Sequence, residues 1–225
     1  MGPSLTAFGV TGVLSDPTIE LRDSAGALVA TNNDWRDTQA DLFGPGGRYH
    51  RLQPDSEKES AIAVTVEPGA YTFIVRGNNG STGVALAECY DVSPGADSQL
   101  LNVSTRSLVQ VGDHVLIGGL VVDGDTKARV IVRALGPSLK SYGVNSVLAN
   151  PELSVYDADG KLIRSCQDWQ DDATQAANLV KNNYAPSNPR EAAMIVTLPP
   201  GNYTAVISGE NNTQGVALLE AYRLK

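Results

Sequence analysis

The sequence is poor in aromatic residues and in positive charge. Aromatic residues make up 6% of the 225 residues, and 17 Lys and Arg stand against 25 Asp and Glu, which leaves a formal net charge of −8. A surface with this excess of carboxylates repels phosphate backbones and anionic lipids. No segment is apolar and long enough to span a bilayer. We therefore expect neither nucleic-acid binding nor membrane insertion.

Histidine and cysteine are scarce as well, with two residues of each. His50 and His114 occupy non-equivalent places in the repeat described next, so a Ser-His-Asp triad in every repeat is excluded. Their separation also lacks the spacing of zinc ligands. Cys89 and Cys166 permit one disulfide without requiring it, and no CxxC motif is present. Whether the two cysteines pair is left open.

The sequence does contain a long internal repeat. The stretch that starts with GPSL at Gly2 aligns with the stretch that starts with GPSL at Gly136, at an offset of 134 residues up to Asp37. The offset is 132 for the segment ESAIAVTVEPGAYTFIVRGNNGSTGVALAECY and its counterpart. A period this long indicates a duplicated domain, not a solenoid. We predict units at 1–93 and 94–225, in which 136–225 repeats 2–92.

Residues 98–135 have no counterpart in the first copy, and they run directly into the second GPSL. We interpret them as the front strands of the second unit, so the first unit lacks its front strands. Three arrangements would cover the open edge: 98–135 shared by both units, a second copy of the chain in a homodimer, or upstream strands of a longer protein. We expect any export signal to lie upstream too, because no signal peptide opens this chain.

Short alternating segments predict strands at about 18–22, 27–31, 60–66, 70–76 and 84–90, and at their counterparts in the second unit. Pro-Gly pairs and Asn-rich, Gly-rich segments predict tight turns between them. We also predict that KARVIVRALGPSL is one strand, with HVLIGGLVV as its neighbour. Only 173–183 has a helical pattern, and Gly-rich FGPGGRY replaces it in the first unit. The fold class is therefore all-β, with two antiparallel β-sandwich lobes of jelly-roll or Greek-key type.

The motifs RALGPSL, DW, LPPGxYTA and GVALLEAY resemble a tandem β-sandwich repeat found at the C-termini of large secreted bacterial proteins. The order of strands and turns is similar to that of pre-peptidase C-terminal modules. This resemblance implies an extracellular accessory module that flanks other domains or binds surfaces. Since some relatives of that type bind calcium, it also makes Ca²⁺ a candidate ligand.

Acidic side chains cluster in the predicted turns, and hard oxygen ligands suit Ca²⁺. They also make turns without any metal, so both interpretations stay open. The candidate metal ligands are Asp157, Asp159, Asp168 and Asp171 in the second unit, with Asp23 and Asp34 in the first.

Other shared side chains have a structural and a functional interpretation. Trp35 and Trp169 could stack on a sugar ring, but we favour core packing. Paired carboxylates from Glu59 and Glu191, or from Glu88 and Glu220, could do acid–base work, but buried hydrogen-bonded roles are more common. Ser4 and Ser138 follow Gly-Pro and lack the Gly-x-Ser-x-Gly motif of hydrolases.

Two functions from different classes remain. The first is an extracellular accessory module that binds calcium and a carbohydrate or cell surface. The second is a small hydrolase, in which Ca²⁺ polarises the carbonyl of an ester or lactone and a carboxylate activates water. The identity of the catalytic residues is not predicted for this alternative.

Overall fold

The computed structural model describes residues 1–92 and 101–224. The chain divides into two compact units, Met1–Ser98 and Gln99–Lys225. The boundary that we predicted, between residues 93 and 94, falls outside the described residues.

The described part of unit one contains one antiparallel sheet of three strands. Short 3-10 turns cover Pro3–Phe8, His50–Leu52 and Asn78–Gly80. The regular elements are β1 (Pro17–Arg22), β2 (Leu28–Asn32), helix α1 (Trp35–Phe43) and β3 (Thr72–Gly77). Strand β1 lies in the middle and pairs with both β2 and β3. The DSAG turn joins β1 to β2.

Unit two is a sandwich of two four-stranded antiparallel sheets. Its strands are β4 (Asn102–Val109), β5 (Leu116–Val122), β6 (Ala128–Leu135), β7 (Pro151–Asp157), β8 (Leu162–Cys166), β9 (Ala192–Leu198), β10 (Gly201–Gly209) and β11 (Gly215–Leu224). Helix α2 covers Ala173–Lys181, and 3-10 turns cover Pro137–Tyr142 and Glu210–Asn212. The sheet orders are β5-β10-β7-β8 and β4-β11-β6-β9.

The core of unit two lies between these sheets because inward-facing and outward-facing side chains alternate along each strand. Tyr203, Ala205 and Ile207 of β10 point inward, as the period of two requires. Val130 and Val132 of β6 meet them from the opposite sheet. On the other face of β6, Ile131 packs with Trp169 and Leu179 beneath helix α2. Strand β6 is thus covered on both faces, which explains its nearly continuous apolar sequence.

The side chain of Gln175 in helix α2 covers the outer edge of strand β9. Its Oε1 accepts from the backbone N–H of Ile195 at 2.9 Å, and its Nε2 donates to the Ile195 carbonyl at 3.3 Å. In unit one, Oε1 of Gln39 accepts from the N–H of Ala63 at 3.1 Å. In both units, therefore, a glutamine of the helix hydrogen-bonds to backbone groups at this edge.

The prediction of an all-β, antiparallel, two-lobed chain is confirmed, and so are the five strands predicted in unit two as counterparts of those in unit one. Two strands predicted for unit one are wrong. Residues 60–66 contain no strand, and 84–90 contain only an isolated bridge at Val84. Their counterparts β9 and β11 form a sheet by pairing with β6, and no strand of the described part of unit one takes that position.

Three further predictions need correction. The segment KARVIVRALGPSL is not one strand, since β6 ends at Leu135 and GPSL enters a 3-10 turn. Strand β5 is not its neighbour, because β5 pairs with β10 in the other sheet. A helix also forms in unit one, where α1 starts at the buried Trp35 and ends at Phe43 before Gly44. The Gly-rich stretch follows this helix and does not replace it.

Residues 101–135 do not serve both units through their strands. Strands β4, β5 and β6 pair with β11, β10 and β9, all of which belong to unit two. Strand pairing therefore assigns β4, β5 and β6 to the sheets of unit two, and the three arrangements for the open edge stay predictions. Among the described residues, no helix is long and apolar enough to cross a membrane.

Candidate functional site

The buried glutamate of each unit holds the GPSL turn. Oε1 of Glu191 accepts hydrogen bonds from the Gly136 N–H at 3.0 Å, from the Ser138 N–H at 2.9 Å and from the Ser138 hydroxyl at 2.6 Å. Oε1 of Glu59 accepts the same three bonds from Gly2 and Ser4, at 2.9, 3.1 and 2.5 Å. Both glutamates are fully buried. The serine hydroxyls are thus donors to a carboxylate and are not placed as nucleophiles.

Glycine is required in this turn because the backbone of another loop approaches it. A Cβ on Gly136 would lie 2.2 Å from the carbonyl oxygen of Leu148, and one on Gly2 would lie 2.1 Å from that of Leu14. Burial raises the pKa of Glu59, but the hydrogen bonds from Ser4 and Gly2 lower it by more, so the net pKa is below its usual value. The glutamate is therefore held as an anion that closes the turn.

The second shared glutamate carries an ion pair in unit two. Nε and Nη2 of Arg133, on β6, donate to Oε2 of Glu220 at 2.8 and 2.5 Å. The Tyr222 hydroxyl donates to the other carboxylate oxygen at 2.8 Å. The guanidinium also lies over the rings of Tyr184 and Tyr222, 5.8 and 5.5 Å from their centroids. Sequence reasoning missed Arg133, although an arginine inside the apolar run ARVIVRAL was a signal for a buried partner.

In unit one, Glu88 and Tyr90 repeat only part of this arrangement. The Tyr90 hydroxyl donates to Oε1 of Glu88 at 2.9 Å, which raises the pKa of the phenol above its usual value. No Lys or Arg side chain of the described residues forms an ion pair with Glu88. Glu88 is exposed, whereas Glu220 is buried.

Two of the predicted metal ligands organise turns. Oδ1 of Asp157 accepts from the N–H groups of Asp159 and Lys161 at 3.1 and 2.9 Å. Oδ1 of Asp23 accepts from the N–H groups of Ala25 and Ala27, both at 2.9 Å. The Asp159 side chain is exposed. These bonds explain the DxxG turns without a metal.

Two other predicted ligands, Asp168 and Asp171, line an open cleft of unit two. The cleft has a volume of about 350 Å³, and Glu152, Arg164, Cys166 and Trp169 also line it. Oδ2 of Asp171 accepts from the backbone N–H of Asp168 at 3.3 Å. Burial, followed by the charges of Asp171 and Glu210, raises the pKa of Asp168. Oδ1 of Asp168 is buried and has no hydrogen-bond partner.

The corresponding place in unit one has a different charge environment. Asp34 corresponds to Asp168, and Nζ of Lys58 lies 3.9 Å from its Oδ2. The same ammonium lies 3.9 Å from Asp16. In unit two the counterpart of Lys58 is Arg190, whose charge lowers the pKa of Asp168 by less than burial and the charges of Asp171 and Glu210 raise it. Across the described residues, no three Asp, Glu, His or Cys side chains come together in a way that could hold a metal ion.

The two tryptophans are core residues. Trp35 is 1% exposed and Trp169 is 9% exposed. Nε1 of Trp35 donates to the Ser56 carbonyl at 3.1 Å, and Nε1 of Trp169 donates to the Asn188 carbonyl at 3.2 Å. Their backbone N–H groups donate to the carbonyl oxygens of Glu59 and Glu191. Each DW motif is therefore tied to the buried glutamate of its own unit.

The histidines and cysteines form no shared site. Nδ1 of His50 lies 3.3 Å from the carbonyl oxygen of Phe43, so this histidine contacts the end of helix α1. Both cysteines are free thiols. Burial raises the pKa of each thiol, and the charge of Asp91 adds to the shift at Cys89. Neither thiol is thereby activated as a nucleophile.

Comparisons with known proteins find a likeness of fold among solved structures only. No family model and no curated protein matches the chain. Among solved structures, the pre-peptidase C-terminal domain of a collagenase from Bacillus anthracis matches 54% of this chain and 89% of its own length, with 14% sequence identity and a TM-score of 0.34.

Proposed function

We propose that the chain is an accessory module of an extracellular protein, and that it acts by binding and by spacing other segments instead of by catalysis. One observation carries this proposal: three of the four glutamates that the two units share are buried and are used by the fold. Glu59 and Glu191 hold the GPSL turns, and Glu220 holds Arg133. A general acid or base must reach a substrate. These buried groups instead satisfy backbone and side-chain donors of their own unit.

A screen of ester and lactone substrates tests this proposal against the hydrolase alternative. The full chain is assayed with CaCl₂ and with chelator. We expect no turnover above the buffer rate under either condition. Turnover that needs Ca²⁺ and is lost in Asp168→Asn would replace the accessory module with the hydrolase.

The cleft of unit two is the best candidate for a small ligand, and Asp168 favours a cation there. Its pKa is raised by burial and by nearby carboxylates, and one of its oxygens lacks a partner. A bound Ca²⁺ would offset the repulsion between Asp168 and the nearby carboxylates, and Oδ1 of Asp168 could coordinate it. The buried Trp169 offers little ring surface to a sugar, so a carbohydrate would have to bind through hydroxyl-to-carboxylate hydrogen bonds.

Thermal melting with CaCl₂ or with chelator tests the cation site. A ligand that binds only the folded state adds about 2.7 kcal/mol at a hundredfold excess over its Kd. We expect Ca²⁺ to raise the melting temperature of the wild type and of Asp34→Asn, whose position already has Lys58. Asp168→Asn should remove the effect. An unchanged melting temperature in the wild type would contradict calcium binding.

A further inference from the structure

Unit two has a second pocket, which lies between the GPSL turn and the loop that precedes strand β9. Its volume is about 360 Å³, and four apolar and three polar residues line it. The polar residues are Lys140, Asn188 and Arg190. None of its lining residues also lines the cleft that contains Asp168. We call this second site the basic pocket.

The polar side chains of the basic pocket present hydrogen-bond donors. Lys140 and Arg190 are cations, and neither side chain has an acceptor. Oδ1 of Asn188 already accepts from the backbone N–H of Arg190 at 3.0 Å, which leaves the amide group of Asn188 as a donor. Among the described residues, no Asp or Glu lines the pocket. A ligand that binds there must therefore bring acceptors and negative charge.

Neither cation of the basic pocket is used by the fold. Both side chains are exposed, and within the described part of the chain neither forms an ion pair. The charge of Arg190 does act on Asp168, where it lowers the pKa by less than the other influences raise it. Two unpaired cations in one pocket are notable in a chain with a net charge of −8. They remain available to an anion.

The rest of the lining is apolar. It consists of Pro137, Val147, Ala149 and Pro189. Ligand sites typically combine a mostly apolar lining with a few placed polar groups, in volumes of about 300–1,000 Å³. A bare inorganic anion would use only the charges and leave this apolar surface unused. The lining therefore fits a ligand that joins a negative group to an apolar face.

Unit one lacks these features at the corresponding place. Thr6 occupies the repeat position of Lys140, so one cation is absent. Lys58 occupies the position of Arg190, but its ammonium lies 3.9 Å from each of two aspartate carboxylates. The shared fold therefore does not require a pair of unpaired cations, and the basic pocket is specific to unit two.

The surroundings of the basic pocket favour a sugar ring over a peptide. An extended peptide is commonly bound by pairing with the edge of a strand. The lining residues lie in the 3-10 turn Pro137–Tyr142 and in two loops, and none of them belongs to a strand. A sugar ring needs no strand edge. Its C–H face can pack on the aliphatic lining while its carboxylate and hydroxyl oxygens accept from the donors.

We propose that the basic pocket binds a uronic-acid residue of an acidic polysaccharide. The carboxylate lies between Lys140 and Arg190, whose guanidinium can bind it through two parallel hydrogen bonds. The ring packs on Pro137 and Val147, and the amide of Asn188 donates to a hydroxyl. This inference deepens the accessory role proposed above, and only the choice of a polysaccharide as the source of the ligand rests on that role.

Calorimetry with trigalacturonate and with its methyl ester tests the proposal on the full chain. The two ligands share their rings, but the ester has no negative charge. The buffer contains chelator, because Ca²⁺ could bridge the acid to the cleft that contains Asp168. We expect the acid to bind and the ester to bind at least about tenfold more weakly. Added salt should weaken the binding of the acid, since it screens the exposed cations.

Exposed variants locate the binding to the pocket. Lys140→Thr introduces the residue that unit one has at this position, and Arg190→Gln removes the other charge. We expect each to weaken the binding of trigalacturonate at least about fivefold. Lys161→Thr, an exposed change of the same kind outside the pocket, should bind as the wild type does. Circular dichroism checks that all three variants fold.

Several outcomes would overturn the proposal. They are no binding of trigalacturonate, equal affinity for the acid and the ester, or unchanged affinity in Lys140→Thr. A peptide acetyl-Ala-Pro-Val with a free carboxylate that binds more tightly than trigalacturonate would assign the pocket to a peptide terminus instead. Sulfate that binds as tightly as trigalacturonate would show a simple anion site. Turnover in the ester and lactone screen, with trigalacturonate binding intact, would contradict the accessory role alone.

Discussion

Glu191 allows a sharp test of how the sandwich is held together. Replacing it with alanine removes the acceptor of two buried backbone N–H groups and one hydroxyl. Each buried donor left without an acceptor costs about 1–3 kcal/mol. The Ser138 hydroxyl can rotate toward another acceptor, but the two N–H groups cannot. We expect Glu191→Ala to lower the free energy of unfolding of unit two by about 3–5 kcal/mol.

Two milder variants calibrate this value. Ser138→Ala removes only the hydroxyl donor at 2.6 Å, and we expect it to cost about 1–2 kcal/mol. Glu191→Gln keeps an acceptor oxygen but puts an amide where Oε2 is buried without a partner. We expect it to fall between the other two variants.

The assay is urea unfolding in a Trp35→Phe background, which leaves Trp169 as the fluorescent reporter. The backbone N–H of Trp169 donates to the Glu191 carbonyl at 2.9 Å, so its signal reports the fold around the mutated site. If Glu191→Ala lowered the stability by no more than Ser138→Ala, the carboxylate would not be the acceptor that holds the turn, and this reasoning would be refuted.

Four other perturbations have expected outcomes. Arg133→Met leaves the carboxylate of Glu220 buried without its ion pair, and should cost about 3–5 kcal/mol in urea unfolding of unit two, more than Arg106→Met on the exposed edge. Asp172→Ala removes the helix cap that accepts from the N–H groups of Thr174 and Gln175, and should cost about 1 kcal/mol in the same assay. Asp172→Asn keeps a capping oxygen, so a loss of stability as large as that of Asp172→Ala would contradict the capping role. The lowered pKa of Glu59 gives stability that is present above its unfolded pKa near 4.5 and lost as the pH falls through the folded pKa. Acid unfolding followed by Trp35 fluorescence should thus be less steep in Glu59→Gln, and an identical acid limb would exclude this linkage. Both thiols should react with a disulfide reagent in the folded protein, Cys89 faster because it is exposed, and an inert Cys89 would refute that accessibility.

Sequence reasoning found the duplication and most strands because these depend on local patterns. Tyr203, Ala205 and Ile207 alternate, and Pro-Gly marks the turn before them, so β10 could be predicted from its own residues. Residues 60–66 alternate in the same way and still form no strand. Strand formation needs a hydrogen-bonding partner, and no pattern inside 60–66 reports whether one is present.

The roles of the polar residues were harder to predict because they depend on distant partners. Glu191 lies 55 residues from Gly136, and Glu220 lies 87 residues from Arg133. A buried, hydrogen-bonded role was favoured for both glutamates, but the donors that they meet could not be predicted. Sequence reasoning missed helix α1 because it gave weight to the Gly-rich stretch Gly44–Gly47, which follows the helix. The helix is anchored by the buried apolar side chains of Trp35 and Phe43 at its two ends.

The glutamines that cover the outer edge of β9 and of residues 60–66 have a consequence for assembly. A sheet edge with free N–H and C=O groups can recruit a further strand from any chain, and such additions can continue without limit. Gln175 uses both backbone groups of Ile195, and Gln39 uses the N–H of Ala63. At these positions the backbone groups are already occupied by side chains of the same unit, so a strand from another chain would have to displace a glutamine before it could pair there.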